Sequence, residues 1–161
     1  MRRKTVLFLC TGNYYRSRFA ELLFNHLALQ DSLDWVAISR ALALETGSGN
    51  IGPISNAVVE GLVERGIMPE DGFRYPIGLE ENDLALASHI IAVKRDEHLP
   101  LLKRRFPLWV EQVEFWRVHD IDLAPPREAL AEIDQNVRGL IERLKTYRGG
   151  TSSAQRRSAD D

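Results

Sequence analysis

The chain has 161 residues and a mass of 18.3 kDa, which predicts a single domain, since a domain commonly holds about 150 residues. Its 21 basic and 23 acidic residues leave a net charge of -2, which argues against a nucleic-acid partner because such partners select broad basic surfaces. No apolar run approaches the roughly 20 residues of a membrane-spanning helix, and no cleavage site follows the short apolar stretch at 6–9, so we expect a cytoplasmic protein with no membrane partner.

The first half of the chain alternates between strand and helix patterns. Residues 5–9 are apolar and β-prone, and they end at a turn-forming Thr-Gly-Asn sequence. From Ser17 apolar residues recur at helical spacing, and residues 35–38 predict a second buried strand. After a glycine-containing loop, a second helix is expected to begin with Ser55 as its N-terminal cap and to end at Gly66.

The second half continues the alternation. A proline- and glycine-containing connection is followed by a short helical pattern at 80–87 and a third strand at 90–93. Residues 96–105 predict a helix with a basic last turn, and partial alternation over 110–118 predicts a fourth strand. A long helix is predicted to follow Pro125-Pro126 and to extend to about residue 147.

This order of elements predicts the fold class. Strands that alternate with helices form βαβ units, so we expect an α/β fold, a three-layer sandwich with a four-stranded parallel sheet flanked by helices. One domain is expected over residues 1–148, and residues 149–161, which lack apolar periodicity, are expected to form a flexible tail. Ligands of such sheets bind beyond the carboxyl ends of the strands, which directs attention to the loop after the first strand and to the residues after the fourth.

The loop between the first strand and the first helix carries the single cysteine of the chain and reads Cys10-Thr11-Gly12-Asn13-Tyr14-Tyr15-Arg16-Ser17. Backbone N–H groups at the start of a helix, together with the helix dipole, favour a bound anion. The arginine presents a planar fork that can bind two phosphate oxygens. The same positive field favours the thiolate form of the cysteine, to which the serine hydroxyl can donate a hydrogen bond.

The loop resembles that of the low-molecular-weight protein tyrosine phosphatases, whose pattern is similar to Cys-x-Gly-Asn-x-x-Arg-Ser. The fixed positions are matched by Cys10, Gly12, Asn13, Arg16 and Ser17. The likeness extends from residue 5 to about residue 147, and Ser39 looks like the serine that supports the loop asparagine in this family.

The resemblance implies roles for the residues of the loop. Cys10 is expected to be the nucleophile, Arg16 to bind phosphate, and Ser17 and Ser39 to support the loop. The phosphate- or substrate-binding residues are then Thr11, Gly12, Asn13, Tyr14, Tyr15, Arg16 and Ser17. No metal and no cofactor are expected.

The resemblance also implies a general acid after the fourth strand, within an Asp-Pro pair. Asp120 falls at this position and is assigned the acid role, although Ile121 stands where the proline is expected. Asp122 is the alternative acid, and His119 is a more distant one.

The reaction implied is hydrolysis of phosphotyrosine, in a protein or as a small aryl phosphate, through a phosphocysteine intermediate. Phosphate or sulfate is expected as an active-site anion, and nothing in the sequence demands more than a monomer. The altered acid motif leaves open a non-catalytic phosphate- or phosphoprotein-binding relative. An arsenate reductase-like enzyme is disfavoured, since such enzymes need further cysteines and the chain has one.

The other polar residues near these motifs are interpreted without a catalytic role. His98 is expected at a helix surface or core edge. Arg18 replaces a proline usual in the family, which is expected to alter only the first turn of the helix. The rings of Tyr14 and Tyr15 are candidates to line the pocket entrance.

Overall fold

A computed structural model describes residues 3–47, 49–68, 72–118 and 126–146 of the chain. Its strands and α-helices follow in the order β1 (Lys4–Cys10), α1 (Arg16–Gln30), β2 (Trp35–Ala41), α2 (Asn56–Glu64), α3 (Glu81–Leu86), β3 (His89–Ala92), α4 (Arg95–Arg105), β4 (Val113–Phe115) and α5 (Pro126–Thr146). Two 3₁₀ helices lie at Leu44–Gly47 and Pro107–Gln112.

The four strands form one parallel sheet in the order β2-β1-β3-β4. β1 therefore lies inside the sheet, with Cys10 beside Ala41 of β2 and Leu9 beside Ala92 of β3. Because all strands are parallel, their carboxyl ends meet at one edge, and Cys10 ends the strand at this edge.

The side chains of β1 alternate between two hydrophobic clusters. Val6 and Phe8 pack with α1, α2 and α5, whereas Leu7 and Leu9 pack with residues of α3 and α4. All four side chains are fully buried, and each contributes about 1.5–3 kcal/mol relative to an exposed position. The sheet is thus covered by helices on both faces, which confirms the predicted three-layer α/β fold.

Local signals set several element boundaries as predicted. The Ser55 hydroxyl accepts a hydrogen bond from the Ala57 N–H at 3.2 Å and caps α2. Gly66 follows α2 with a φ of 75°, a left-handed conformation that glycine adopts without steric cost.

The fourth strand is much shorter than the predicted 110–118. Val110 belongs to the 3₁₀ helix Pro107–Gln112, and the strand itself is Val113–Phe115, although the Trp116 N–H still donates to the Ala92 carbonyl of β3 at 2.8 Å. Proline at the start of this helix has the fixed φ that a helical first turn requires, which explains why the alternating pattern is overridden.

The predicted tail, 149–161, lies outside the described residues, so the domain limits stay a prediction. In the part of the chain that the structure describes, no helix combines the length and the apolar content of a membrane span.

Candidate active site

The loop from Cys10 to Arg16 joins the carboxyl end of β1 to the first turn of α1. Asn13 has a φ of 53°, in the left-handed region that asparagine adopts more readily than most residues. The turn at Asn13 bends the chain so that Arg16 begins the helix. The loop therefore lies at a helix N-terminus, where the dipole and the first N–H groups favour an anion.

Buried polar side chains concentrate around this loop. Within residues 3–47, 49–68, 72–118 and 126–146, those classed as buried are Asn13, Arg16, Ser17, Arg18, Ser39 and His98. Each belongs to the loop, to the first turn of α1, or to the residues that hydrogen-bond with the loop. Since burying a polar group costs free energy unless it is hydrogen-bonded, this concentration identifies the loop as the candidate site.

The cysteine sulfur is hydrogen-bonded inside the loop. Cys10 Sγ lies 2.9 Å from Ser17 Oγ, and the Asn13 side-chain amide donates to the same Ser17 oxygen at 2.9 Å. The serine oxygen accepts from Asn13 and keeps its own proton, which it can donate to the sulfur. This arrangement suits a thiolate, which accepts a hydrogen bond and cannot donate one.

The Asn13 amide is oriented by residues outside the loop. Its Oδ1 accepts from Arg74 Nη1 at 3.0 Å and from the Ile77 N–H at 3.1 Å, while its Nδ2 also donates to Ser39 Oγ at 2.8 Å. Ser39 in turn donates to Glu21 Oε1 at 2.6 Å, and Arg74 Nη2 pairs with the same carboxylate oxygen at 3.0 Å. This network fixes which end of the amide faces Ser17.

Both terminal nitrogens of the Arg16 side chain are hydrogen-bonded to one carboxylate. Its Nη1 and Nη2 donate to Glu97 Oε1 and Oε2 at 3.1 and 2.7 Å, and the Thr11 hydroxyl donates to Oε2 of the same carboxylate. Glu97 lies in the first turn of α4, which follows β3 at the same edge of the sheet. An anion thus already contacts the side chain predicted to bind phosphate.

The His98 side chain contacts both the Glu97 carboxylate and the Thr11 hydroxyl. Its ring is fully buried, and Nε2 lies 3.2 Å from both Glu97 Oε2 and Thr11 Oγ1. Nδ1 accepts from the Lys94 N–H at 3.1 Å, so the proton of a neutral ring is on Nε2. Burial opposes the ionisation of Glu97, but hydrogen bonds from His98, Arg16 and Thr11 outweigh it and hold the pKa of Glu97 well below its usual range.

The two loop tyrosines lie in different surroundings. The Tyr14 hydroxyl donates to the Ile51 carbonyl at 2.6 Å, and its half-buried ring lines a cleft of about 660 Å³ with Val59 and Phe73. Tyr15 is buried in the hydrophobic core, and its hydroxyl donates to the Pro126 carbonyl at 3.3 Å. The Tyr15 ring therefore does not line the pocket entrance, and only its backbone N–H remains a candidate to contact an anion.

The predicted acids follow β4 in the sequence. Asp120, Asp122 and His119 lie outside the described residues, and the acid assignment stays a prediction. Over the ranges that the structure describes, no three His, Cys, Asp or Glu side chains group in a way that could hold a metal ion.

Several residues that contact the loop were not predicted from the sequence. His98 was predicted at a helix surface or core edge, and the structure shows a fully buried ring that contacts the loop. Arg18 is buried and donates to the loop instead of only altering a helix turn. An acidic residue just after β3 is a signal that could have indicated Glu97. Arg74 lies in an irregular connection, and no sequence pattern points to it.

The comparisons with known proteins agree with this geometry. Residues 5–149 match the family model described as low molecular weight phosphotyrosine protein phosphatase. No curated protein matches the chain. Among solved structures, the low molecular weight protein tyrosine phosphatase from T. tengcongensis is 27% identical over 87% of this chain and 99% of its own, with a TM-score of 0.73.

Two further structures share the fold. YfkJ from Bacillus subtilis is 24% identical over 89% of this chain and 96% of its own, with a TM-score of 0.76. The YwlE arginine phosphatase from Geobacillus stearothermophilus is 20% identical over 92% of this chain and 97% of its own, with a TM-score of 0.73. Since the family model spans most of the sequence, the chain belongs to the low molecular weight phosphotyrosine protein phosphatase family, a family of phosphatases.

Proposed function

We propose that this phosphatase hydrolyses aryl phosphate monoesters, either phosphotyrosine in a protein or a small aryl phosphate, through a phosphocysteine intermediate on Cys10. The observation that carries the proposal is the hydrogen bond between the Ser17 hydroxyl and the Cys10 sulfur in a loop that ends at a helix N-terminus. A thiolate stabilised in this way is a nucleophile at the position where an anionic phosphate is attracted.

In the first step the Cys10 thiolate attacks phosphorus, in line with the leaving oxygen. Arg16 and the backbone N–H groups of residues 11–17 donate to the three equatorial oxygens, which carry the charge of the transition state. Asp120 transfers its proton to the leaving phenolate oxygen, which departs as the phenol.

In the second step the Asp120 carboxylate takes a proton from water, and the resulting hydroxide attacks the phosphorus of the phosphocysteine. The S–P bond breaks and Cys10 leaves as the thiolate, which the hydrogen bond from Ser17 stabilises. Inorganic phosphate is released, and Asp120 again carries the proton needed for the next substrate.

Glu97 affects how substrate binds. Its carboxylate contacts both terminal nitrogens of Arg16 and the Thr11 hydroxyl. A phosphate dianion and this carboxylate repel each other and require the same donors, so substrate binding displaces Glu97 from Arg16.

The surroundings of the loop favour an aromatic leaving group. The cleft beside the loop is lined by the rings of Tyr14 and Phe73, together with apolar side chains that include Ile54 and Val59. Aromatic rings in such a cleft can pack on the ring of a substrate tyrosine. The relative from T. tengcongensis is named a tyrosine phosphatase, which supports the same substrate class.

The test is hydrolysis of p-nitrophenyl phosphate, measured against pH for the wild-type chain and for Cys10→Ser. We expect a bell-shaped profile for the wild type and loss of hydrolysis in the variant, which should still bind phosphate. Phosphate binding by the wild type without any hydrolysis would support the non-catalytic alternative. Turnover retained by Cys10→Ser would refute the nucleophile.

A substrate panel separates the finer possibilities. Phosphotyrosine and phosphoarginine peptides should be compared, because one structure with the same fold is named an arginine phosphatase. We expect a higher kcat/KM for the phosphotyrosine peptide. A preference for phosphoarginine would contradict the proposed substrate class.

A further inference from the structure

We propose that Arg18 is a positioning residue for this reaction, whose guanidinium braces the phosphate loop from behind and favours the thiolate form of Cys10. The proposal rests on the proposed function, since it assigns a role to a residue behind the proposed nucleophile. The family resemblance implies a proline at this position, so the role belongs to this chain's own sequence.

The side chain of Arg18 joins three segments of the chain. It extends from the first turn of α1 and is 1% exposed. Nη1 donates to the Pro53 carbonyl at 2.9 Å and to the Asn13 carbonyl at 3.4 Å, and Nη2 donates to the Arg74 carbonyl at 2.7 Å. The loop residue with left-handed backbone, Asn13, is thereby linked to two connections that are remote in sequence.

A buried guanidinium at this place is unfavourable for stability. Burial, and to a smaller extent the neighbouring Arg74, lower the pKa of Arg18 from 12.5 to about 10, although the charges of Glu21 and Cys10 act in the opposite direction. Its Nε is buried with no hydrogen-bond partner among the described residues. Because a buried charge often adds less stability than an apolar side chain of similar volume, stability alone does not account for this arginine.

The charges around Cys10 point to the thiolate as the counter-charge of Arg18. Among the residues that the structure describes, the charged groups and the histidine that hydrogen-bond with the loop or with its partners are Arg16, Arg18 and Glu21 of α1, Arg74 of the connection before α3, and Glu97 and His98 of α4. Glu97 pairs with Arg16, and Glu21 pairs with Arg74. Within the described part of the chain, Arg18 donates to carbonyls and makes no ion pair with a carboxylate.

The guanidinium therefore acts on the nucleophile in two ways. It remains protonated at neutral pH and places a positive charge behind a sulfur in a poorly solvated site, where charges interact more strongly than in water. It also donates to the Asn13 carbonyl, and the Asn13 side chain positions the Ser17 hydroxyl that contacts the sulfur.

The experiment measures the thiolate directly, by alkylation with iodoacetamide as a function of pH. Because Cys10 is the single cysteine, the rate of alkylation reports on this thiol alone. Arg18→Gln removes the charge and keeps an amide donor. We expect the reactivity profile of this variant to move upward by about one pH unit, with about tenfold slower alkylation at mildly acidic pH.

Two further variants separate charge from structure. Arg18→Lys keeps the charge with fewer hydrogen bonds and should keep a profile near that of the wild type. Arg65→Gln removes another partly buried arginine, which pairs with Asp134 and packs over Phe19, and should leave the profile unchanged while lowering the melting temperature. If Arg18→Gln does not fold, Arg18→Met replaces it, and we expect the same upward shift of its reactivity profile.

Two outcomes would overturn the proposal. An unchanged profile in the uncharged variant would exclude an effect of Arg18 on the thiolate. Equal shifts in Arg18→Gln and Arg18→Lys would exclude the charge of Arg18 as the cause and contradict its role as the counter-charge of the thiolate. Alkylation requires no turnover, so failure of this proposal is distinguishable from failure of the proposed hydrolysis, which the p-nitrophenyl phosphate assay reports.

Discussion

The Glu97 carboxylate accepts hydrogen bonds from both terminal nitrogens of Arg16, with N–O distances of 3.1 and 2.7 Å, although the two residues are 81 positions apart in the sequence. The carboxylate is planar and bidentate, the geometry in which arginine also binds two oxygens of a phosphate. The Thr11 hydroxyl donates to the same carboxylate, so the contact includes a second residue of the loop between β1 and α1. The state described by the structure is therefore one in which an internal anion pairs with Arg16.

Replacing this carboxylate should strengthen phosphate binding. Glu97→Gln keeps the shape of the side chain and removes its charge, so we expect the inhibition constant for inorganic phosphate to fall about tenfold. The pKa of Glu97 is held well below its usual range, so the difference between variant and wild type should persist at mildly acidic pH. The measurement is competitive inhibition of p-nitrophenyl phosphate hydrolysis by phosphate.

Glu111→Gln serves as the matched control, since this exposed glutamate lies in the 3₁₀ helix before β4. It should not change the inhibition constant. Weaker phosphate binding by Glu97→Gln would contradict competition and would show that the carboxylate orients Arg16 for phosphate.

The acid assignment is tested by two neighbouring aspartates. Asp120→Asn should lower kcat about 10²-fold for aryl phosphates whose phenolate leaving group has a high pKa, and much less for p-nitrophenyl phosphate, whose p-nitrophenolate departs without a proton. Asp122→Asn should retain the wild-type dependence on the leaving group. The measurement is kcat for a series of aryl phosphates of increasing leaving-group pKa.

If Asp122→Asn alone showed the steep dependence, the acid would be Asp122. If neither variant did, the proton donor would lie elsewhere in the site. Both results would contradict the assignment of Asp120.

Much of the fold follows from local patterns in the sequence. The alternating apolar residues of β1 divide between the two faces of the sheet, and Ser55 and Gly66 mark the ends of α2 as predicted. These signals act between residues that are close in sequence. The prediction that the fourth strand begins at Val110 was wrong. A 3₁₀ helix satisfies the backbone hydrogen-bonding groups around this residue, and pairing with β3 begins only after it.

The surroundings of the site could not be predicted in the same way. The loop from Cys10 to Ser17 is contiguous and reads directly from the sequence. His98 and Arg74 reach it from positions 87 and 61 residues away, and only the packing of α4 and of the connection before α3 brings them there. Arg18 lies next to the loop, but a single arginine in a helix gives no sign of whether it faces solvent or the core.

Two helical glycines should respond oppositely to substitution by alanine. A Cβ at Gly61 of α2 would lie 2.6 Å from Leu130 Cδ1 and 3.3 Å from Phe19 Cε1, whereas a Cβ at Gly139 of α5 would meet nothing within 4 Å. Alanine favours a helix over glycine by about 1 kcal/mol at both positions. We therefore expect Gly139→Ala to stabilise the fold by up to about 1 kcal/mol.

Gly61→Ala should instead destabilise it by about 1–3 kcal/mol, because the close approach of α2 to α1 and α5 leaves no room for the methyl group. Urea unfolding of both variants gives the comparison. Equal stabilisation by the two substitutions would show that the Leu130 side chain moves aside without cost.

Glu114 should make the stability of the fold depend on pH. Burial opposes its ionisation, but hydrogen bonds with His89, Arg143 and Trp116 outweigh burial and lower the pKa of Glu114 from 4.5 to about 2. The folded state thus binds a proton less readily than the unfolded chain does. The stabilisation is complete above the unfolded pKa and is lost as the pH falls from about 4.5 towards 2.

Glu114→Gln should reduce the loss of stability over this pH range, because glutamine does not titrate. Some acid sensitivity should remain, since the pKa of Glu97 is also lowered in the folded state. The measurement is the free energy of unfolding in urea at several pH values, with Glu111→Gln as a control in which the exposed carboxylate is removed. An acid dependence identical in Glu114→Gln and the wild type would contradict the role of the cluster that joins β3, β4 and α5 through His89, Glu114 and Arg143.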